Sequence, residues 1–223
     1  MLELGSRLRN RFVKVGTASY DAGNTSTIKM PQGYLWRTIV VRLAGSLNVS
    51  TAVTALAEAP LQLISKLELI ADGRTIFTGT ARDLYRIAQF YMGKAPEIVP
   101  PSNSTGAAIA FSANIPIHLE AIRRANPSDS LFYSEPYGQV ELKITWASGV
   151  SAISTGGSAT INTSTAVTVS LEDVAVGHDE SKLIRQINYV EKIITAAQTE
   201  FEIALPKTGL LDAILIRSDV DGV

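Results

Sequence analysis

Residues 28–42 read Ile-Lys-Met-Pro-Gln-Gly-Tyr-Leu-Trp-Arg-Thr-Ile-Val-Val-Arg, and residues 203–217 read Ile-Ala-Leu-Pro-Lys-Thr-Gly-Leu-Leu-Asp-Ala-Ile-Leu-Ile-Arg. The two stretches align without a gap. Ile28 falls on Ile203, Met30 on Leu205, Pro31 on Pro206, and Ile39, Val40, Val41 and Arg42 fall on Ile214, Leu215, Ile216 and Arg217. The glycines, Gly33 and Gly209, are one place out of register. Each copy is a strand, a Pro/Gly turn, and a strongly apolar strand closed by arginine. Self-similarity on this scale marks a duplicated structural unit. The competing explanation is a chance likeness between two strand–turn–strand segments. On the duplication reading, the strands between the copies complete one β-sandwich and a second unit starts near residue 190. Val223 then corresponds to Asn48, so the second unit is cut short just after its first long strand.

Working outward from the repeat, most of the chain carries β patterning. Thr27 to Met30 alternates up to Pro31, and Leu35 to Leu43 and Leu63 to Ile70 are β-branched runs. Period-2 geometry predicts Ile39 and Val41 on one face of their strand and Val40 on the other. Ala71-Asp72-Gly73-Arg74 is a two-residue hairpin turn leading to a return strand, Thr75-Ile76-Phe77. One helix interrupts: Thr80 suits the N-cap and Asp83 the N3 position. Leu84, Ile87, Ala88 and Tyr91 share a face, and Gly93 supplies the stop. Strands resume at Ala107 to Ile117, Gln139 to Trp146 and Ala166 to Val174. Between them lie a Pro/Ser/Gly loop (95–106), an excursion from Leu119 to Gly138 with turn residues Asn126 to Asp129, and a Ser/Thr/Gly/Ala stretch (148–165) expected as an exposed loop or hairpin tip.

Composition bounds the function. With 46% hydrophobic and 18% charged residues the chain can bury a sizeable core. A formal net charge of −1 argues against a surface that wraps nucleic acid throughout. The absence of cysteine removes disulfides, thiolate metal sites and a thiol nucleophile. No run is long and apolar enough to cross a bilayer, and no apolar h-region follows the N-terminal charges, so the chain is expected to be made and kept in a cytoplasm, unless lysis exports it inside a particle.

Residues 1–24 are expected to form a basic arm. Leu4, Leu8, Phe12 and Val15 fall at helical spacing among Arg7, Arg9, Arg11 and Lys14, as in a short basic amphipathic helix. Such an arm suits contact with anionic lipid headgroups or nucleic acid, at about 1 kcal/mol per charge near a membrane surface. The bland alternative is a solvated arm or one docked on a neighbouring subunit. Arg123-Arg124 is a second small basic spot.

Catalytic chemistry finds little support. The chain has two histidines, His118 and His178. His118-x-Glu120 offers at most two ligands of a metal site, and His178-Asp179-Glu180 reads as a solvated turn. Neither a Gly-x-Ser-x-Gly elbow nor a phosphate loop occurs, and no base motif marks the hydroxyls of Ser151 to Ser164 as nucleophiles. Asp72, Asp83 and Asp129 sit in turns or a cap. Trp36 and Trp146 are expected in the core, the alternative being a stacking platform for a sugar. The chain is read as a non-enzyme without cofactor or metal.

With its duplicated opening segment, its Thr80–Met92 helix and its basic arm, the chain resembles the double jelly-roll major capsid proteins of icosahedral double-stranded DNA viruses, of the bacteriophage type. The resemblance implies an antiparallel jelly-roll sandwich with one short helix, followed by the opening strands of a second roll. It divides the chain into an arm (1–24), a first jelly roll (25–178), and a linker with an incomplete second roll (179–223). It also implies a structural virion protein that self-assembles as trimers within a shell beside other capsid proteins, its arm turned toward an internal membrane or the genome. The chain departs from the family in length, having one roll and a piece. The alternative is a carbohydrate-binding or adhesin-type β-sandwich, which leaves the basic arm unexplained. An enzyme on the same scaffold is the third reading.

Overall fold

The computed structural model describes residues 9–33, 35–120, 131–175, 187–190, 192–193, 202–204, 214 and 216. Its elements in chain order are β1 (Arg9–Ser19), β2 (Thr25–Lys29), β3 (Leu35–Thr51), β4 (Thr54–Ala55), α1 (Ala59–Gln62), β5 (Ile64–Ala71), β6 (Arg74–Gly79), α2 (Ala81–Met92), β7 (Ile98–Val99), β8 (Gly106–His118), β9 (Phe132–Tyr133), β10 (Val140–Trp146), β11 (Ser154–Thr155), β12 (Ser158–Ile161) and β13 (Ala166–Ala175).

The long strands form two antiparallel sheets. One has the order β1-β13-β3-β8-β7, and the other β2-β10-β5-β6. Counting only the strands of five or more residues, the chain crosses between sheets at every step except β5 to β6, which are joined as a hairpin. That is the jelly-roll connectivity, two sheets wound face to face by Greek-key crossings. The helix α2 lies in the crossing from β6 back to β8.

β3 is the central plank. It pairs with β13 on one side and β8 on the other. At about 3.3 Å per residue, its 17 residues run roughly 55 Å. Ile39, Val41, Leu43 and Leu47 are fully buried, and Val40 is half-buried on the opposite face, as the alternation predicts. Leu67 and Leu69 from β5, Leu142 and Ile144 from β10, and Val167, Val169 and Leu171 from β13 meet them in one core cluster. Each such side chain contributes about 1.5–3 kcal/mol on burial.

Local signals hold where they were read. Asp72 (φ 47°) and Gly73 (φ 78°) both take positive φ between Ala71 and Arg74, which pair directly. The Thr80 side chain accepts a hydrogen bond from the Asp83 amide at 3.1 Å, and Gly93 ends α2 at φ 64°. Further elements are additions to the sequence reading: α1, held to α2 by Glu58 bridging Arg82 and Arg86, and β7 and β9. The 148–165 stretch is more ordered than a hairpin tip. It contains a 3-10 turn (Val150–Ala152), β11 paired with β4, and β12 paired with β3, with Ile153 fully buried.

The N-terminal expectation is corrected. Residues 9–19 are not a helix but β1, the first strand of the roll, paired with β13 from Arg9↔Ala175 to Ser19↔Ala166. The roll therefore begins before residue 25. Helical spacing of Leu4, Leu8, Phe12 and Val15 coexists with an alternation of Arg11, Val13 and Val15, and a ten-residue ladder with β13 decides between them. Phe12, expected on an apolar helix face, is 67% exposed, while Val15 packs against the core.

Gly45 shows how tightly the sheet packs. A Cβ there would lie 2.4 Å from Thr165 Oγ1 and 2.7 Å from Phe111 Cζ. Gly45→Ala is expected to lower stability by about 1–3 kcal/mol through overpacking, measured by urea unfolding. An unchanged midpoint would mean that Phe111 and Thr165 move aside without cost.

Candidate functional site

The most charged constellation sits at one rim of the sandwich, where β1, β13, β3 and β8 end together. Its cause is a bulge. Glu172 pairs with Thr38 and Asp173 with Trp36, so β3 has Arg37 as an extra residue. Trp36 and Ile39 are three apart and would face opposite sides of a regular strand, yet both are fully buried. The bulge turns Trp36 inward, onto Phe132 at 5.0 Å between centroids, and leaves Arg37 at the rim.

Arg37 Nε donates to both oxygens of Glu120 at 2.9 Å, and its Nη1 lies 3.6 Å from Glu172 Oε1. Glu120 is buried. The Glu120 hydrogen bond holds the Arg37 guanidinium above its ordinary value, with burial opposing, so its charge is fixed. Beside it, Arg11 Nε and Nη2 donate to buried Asp173 at 3.2 and 2.6 Å, a bidentate pair. His118 Nδ1 lies 3.3 Å from Thr38 Oγ1. Every acid named here is matched to an arginine, which suits a structural clasp.

The sequence candidates distribute as follows. His118 and Glu120 are engaged by Thr38 and Arg37, and among the described residues no three His, Cys, Asp or Glu side chains are grouped to hold a metal. Asp72 accepts from the Gly138 and Gln139 amides at 3.0 and 2.8 Å, tying the hairpin to β10, and Asp83 serves the cap. Trp36 and Trp146 are both buried. Trp146 Nε1 donates to Ser26 Oγ at 3.0 Å, and its ring meets Tyr20 edge-on, so neither offers a sugar platform. Burial, with Asp21 adding to it, raises the Tyr20 phenol above its usual value, and its hydroxyl donates to the Ala147 carbonyl. Of the basic residues, Arg11 is held by Asp173, Lys14 is exposed, and Arg9 opens β1. Arg7, Arg123, Arg124, Asp129 and His178-Asp179-Glu180 lie outside the described residues. The rim clasp itself escaped the sequence reading. Its available signals were Arg37 inside an apolar run and the adjacent acids Glu172-Asp173 inside a strand.

No protein-family model and no curated protein matches the sequence. Solved structures do. The crystal structure of the STIV MCP matches with a TM-score of 0.56 at 17% identity, over 75% of this chain and 48% of that one. The chain shares its fold with viral major capsid proteins of the double jelly-roll class. The atomic structure of Sulfolobus Turreted Icosahedral Virus contains a chain matching with a TM-score of 0.55 at 19% identity, over 74% of this chain and 44% of that one. The PBCV-1 virus capsid matches at 0.52 and 16% identity, over 75% and 42%. The matches thus span less than half the length of these capsid chains. At such identities the likeness is one of fold.

Proposed function

We propose that the chain is a structural subunit of a viral capsid, acting by self-association and not by catalysis. One observation carries this reading: the jelly-roll strand order, with α2 in the β6–β8 crossing, in a chain three-quarters of which superposes on the STIV MCP. Fold alone hosts many functions, so the physical support matters. Among the described residues the ionic groups at the rim are matched in pairs, the tryptophans are internal, and two clefts, of about 280 Å³ beside Asn48 and Thr160 and about 230 Å³ beside Asp72 and Glu141, are open to solvent.

In this reading the subunit forms trimers that tile an icosahedral shell, the virion is its location, and synthesis is in the host cytoplasm. The second copy of the repeat opens a second roll after a linker from residue 179. Ile214 and Ile216, counterparts of the fully buried Ile39 and Val41, are 54% and 83% exposed, an aliphatic pair suited to covering by further strands. Residues around Pro206 lie outside the described set. Lys14, with Arg7, Arg9 and Arg11, would contact anionic lipid or nucleic acid on the shell's inner side. Arg11 contributes least, its charge being matched by Asp173.

Sedimentation velocity and electron microscopy of the full native chain at rising concentration test this. Trimers giving way to ordered arrays are expected. A monomer throughout the concentration series would overturn the reading.

A further inference from the structure

The second sheet ends at β6, in the order β2-β10-β5-β6. An open strand edge presents unpaired amides and carbonyls that invite association with another chain. The other three sheet edges carry protection of their own. β1 has a register break between Lys14 and Gly16 and displays Lys14. β2 ends at Lys29, two residues before Pro31, and β7 is two residues long with Pro100-Pro101 behind it. β6 runs from Arg74 to Gly79 with neither lysine nor proline, and its one charge sits at the hairpin turn. A bulge sends both Ile76 and Phe77 into the core.

What covers this edge comes from beyond β13. Ile187 forms a parallel bridge with Phe77, and its carbonyl accepts from the Thr78 amide at 3.0 Å. Its side chain packs, half-buried, against the core cluster. Exposure alternates along residues 187–190: Ile187 and Tyr189 are half-buried, Asn188 and Val190 exposed. A period of two marks an extended chain with one face on a surface. The parallel pairing sets its direction. Asn188, Tyr189 and Val190 run the way Thr78, Gly79 and Thr80 run, toward the first turn of α2.

β13, the last strand before this segment, lies inside the first sheet between β1 and β3. By Ile187 the chain has crossed to the edge of the opposite sheet. The contact is a strand addition, in which a main-chain bond supplies the hold and one aliphatic side chain the register. We propose that the outer edge of β6 is a docking site for an extended segment, and that residues 187–190 of the same chain are its occupant, anchored by Ile187. The tether to β13 keeps this segment at a local concentration far above that of any second copy. The strap closes the sheet edge that lacks lysine and proline. It also fixes where the chain leaves the first roll, beside α2 and not at the end of β13. The inference stands on the β6 edge and does not require the capsid reading.

Amide hydrogen exchange of the full chain, read at single residues over a series of protein concentrations, tests it. The Thr78 amide is expected to be protected in the native chain to the same degree at every concentration. Ile187→Asp should speed its exchange about tenfold or more, through loss of the hydrogen bond and its anchoring contact. The amides of β5, which has a strand on each side, should keep their native protection and so report that the roll is still folded. Ile187→Ala, which introduces no charge, should act in the same direction. Asn188→Asp, at an exposed position, should leave Thr78 as it is in the native chain. Thr78 exchange that is equal in the native chain and in both Ile187 variants overturns the proposal. So does protection that appears only as the concentration rises, which would give the edge to a second copy.

Discussion

Ile39→Asp is expected to leave no stably folded protein under native conditions. Ile39 is fully buried in the middle of β3, with β13 and β8 on either side through Leu171 and Ile117. The substitution removes a core side chain, worth about 2–5 kcal/mol when truncated. It also places a carboxyl in an apolar layer with no partner, where it costs further as a charge or must take up a proton. The sum, about 5 kcal/mol or more, rivals the whole stability of an ordinary domain. Val40→Asp is the control. Its side chain is on the outer face between Ser170 and Pro116, and the cost there is expected to stay near 1 kcal/mol. Urea unfolding followed by circular dichroism reads both. A wild-type midpoint for Ile39→Asp, or equal losses at 39 and 40, would contradict the facing of β3.

That contrast was readable in the sequence because strand alternation is a local property. The same holds for the Asp72-Gly73 turn, where two positive-φ positions demand these residues, and for α2, where Thr80 and Gly93 mark both ends. β1 was not readable, because one stretch satisfied both a helical and a two-residue period, and only the ladder with β13, at the far end of the roll's sequence, chose between them. The short strands β4, β11 and β12 fail for a related reason. Two to four residues carry no period, and their pairing is set by the end of the roll they close. Of the candidate site, the sequence named His118 and Glu120 as a pair, but their partners come from β3 and depend on the bulge at Arg37. A bulge has no sequence signature here. Arg37 reads as an interruption of an apolar run until the register is known.

The rim clasp makes the second large effect calculable. Arg37→Met keeps the aliphatic stem and removes the guanidinium that Glu120 accepts from at two oxygens. Glu120 is buried and Glu172 nearly so, and both would lose their cation. Removing one partner of a buried pair costs about 3–5 kcal/mol. Arg37 is itself about one-third exposed, so water reaches the site and the expected loss is about 2–3 kcal/mol. The Arg37 guanidinium is held above its ordinary value by its hydrogen bond to Glu120, with burial opposing, so its charge is permanent. In Arg37→Met the defect is the loss of that fixed cation beside two carboxylates. Adding Glu120→Gln to Arg37→Met should recover part of the loss at pH 7, because an amide desolvates at less cost than a carboxylate. Urea unfolding of the two single variants and the double variant at pH 7 reads the coupling. A double variant whose loss is the sum of the singles would mean that Arg37 acts through its stem and the bulge and not through its charge.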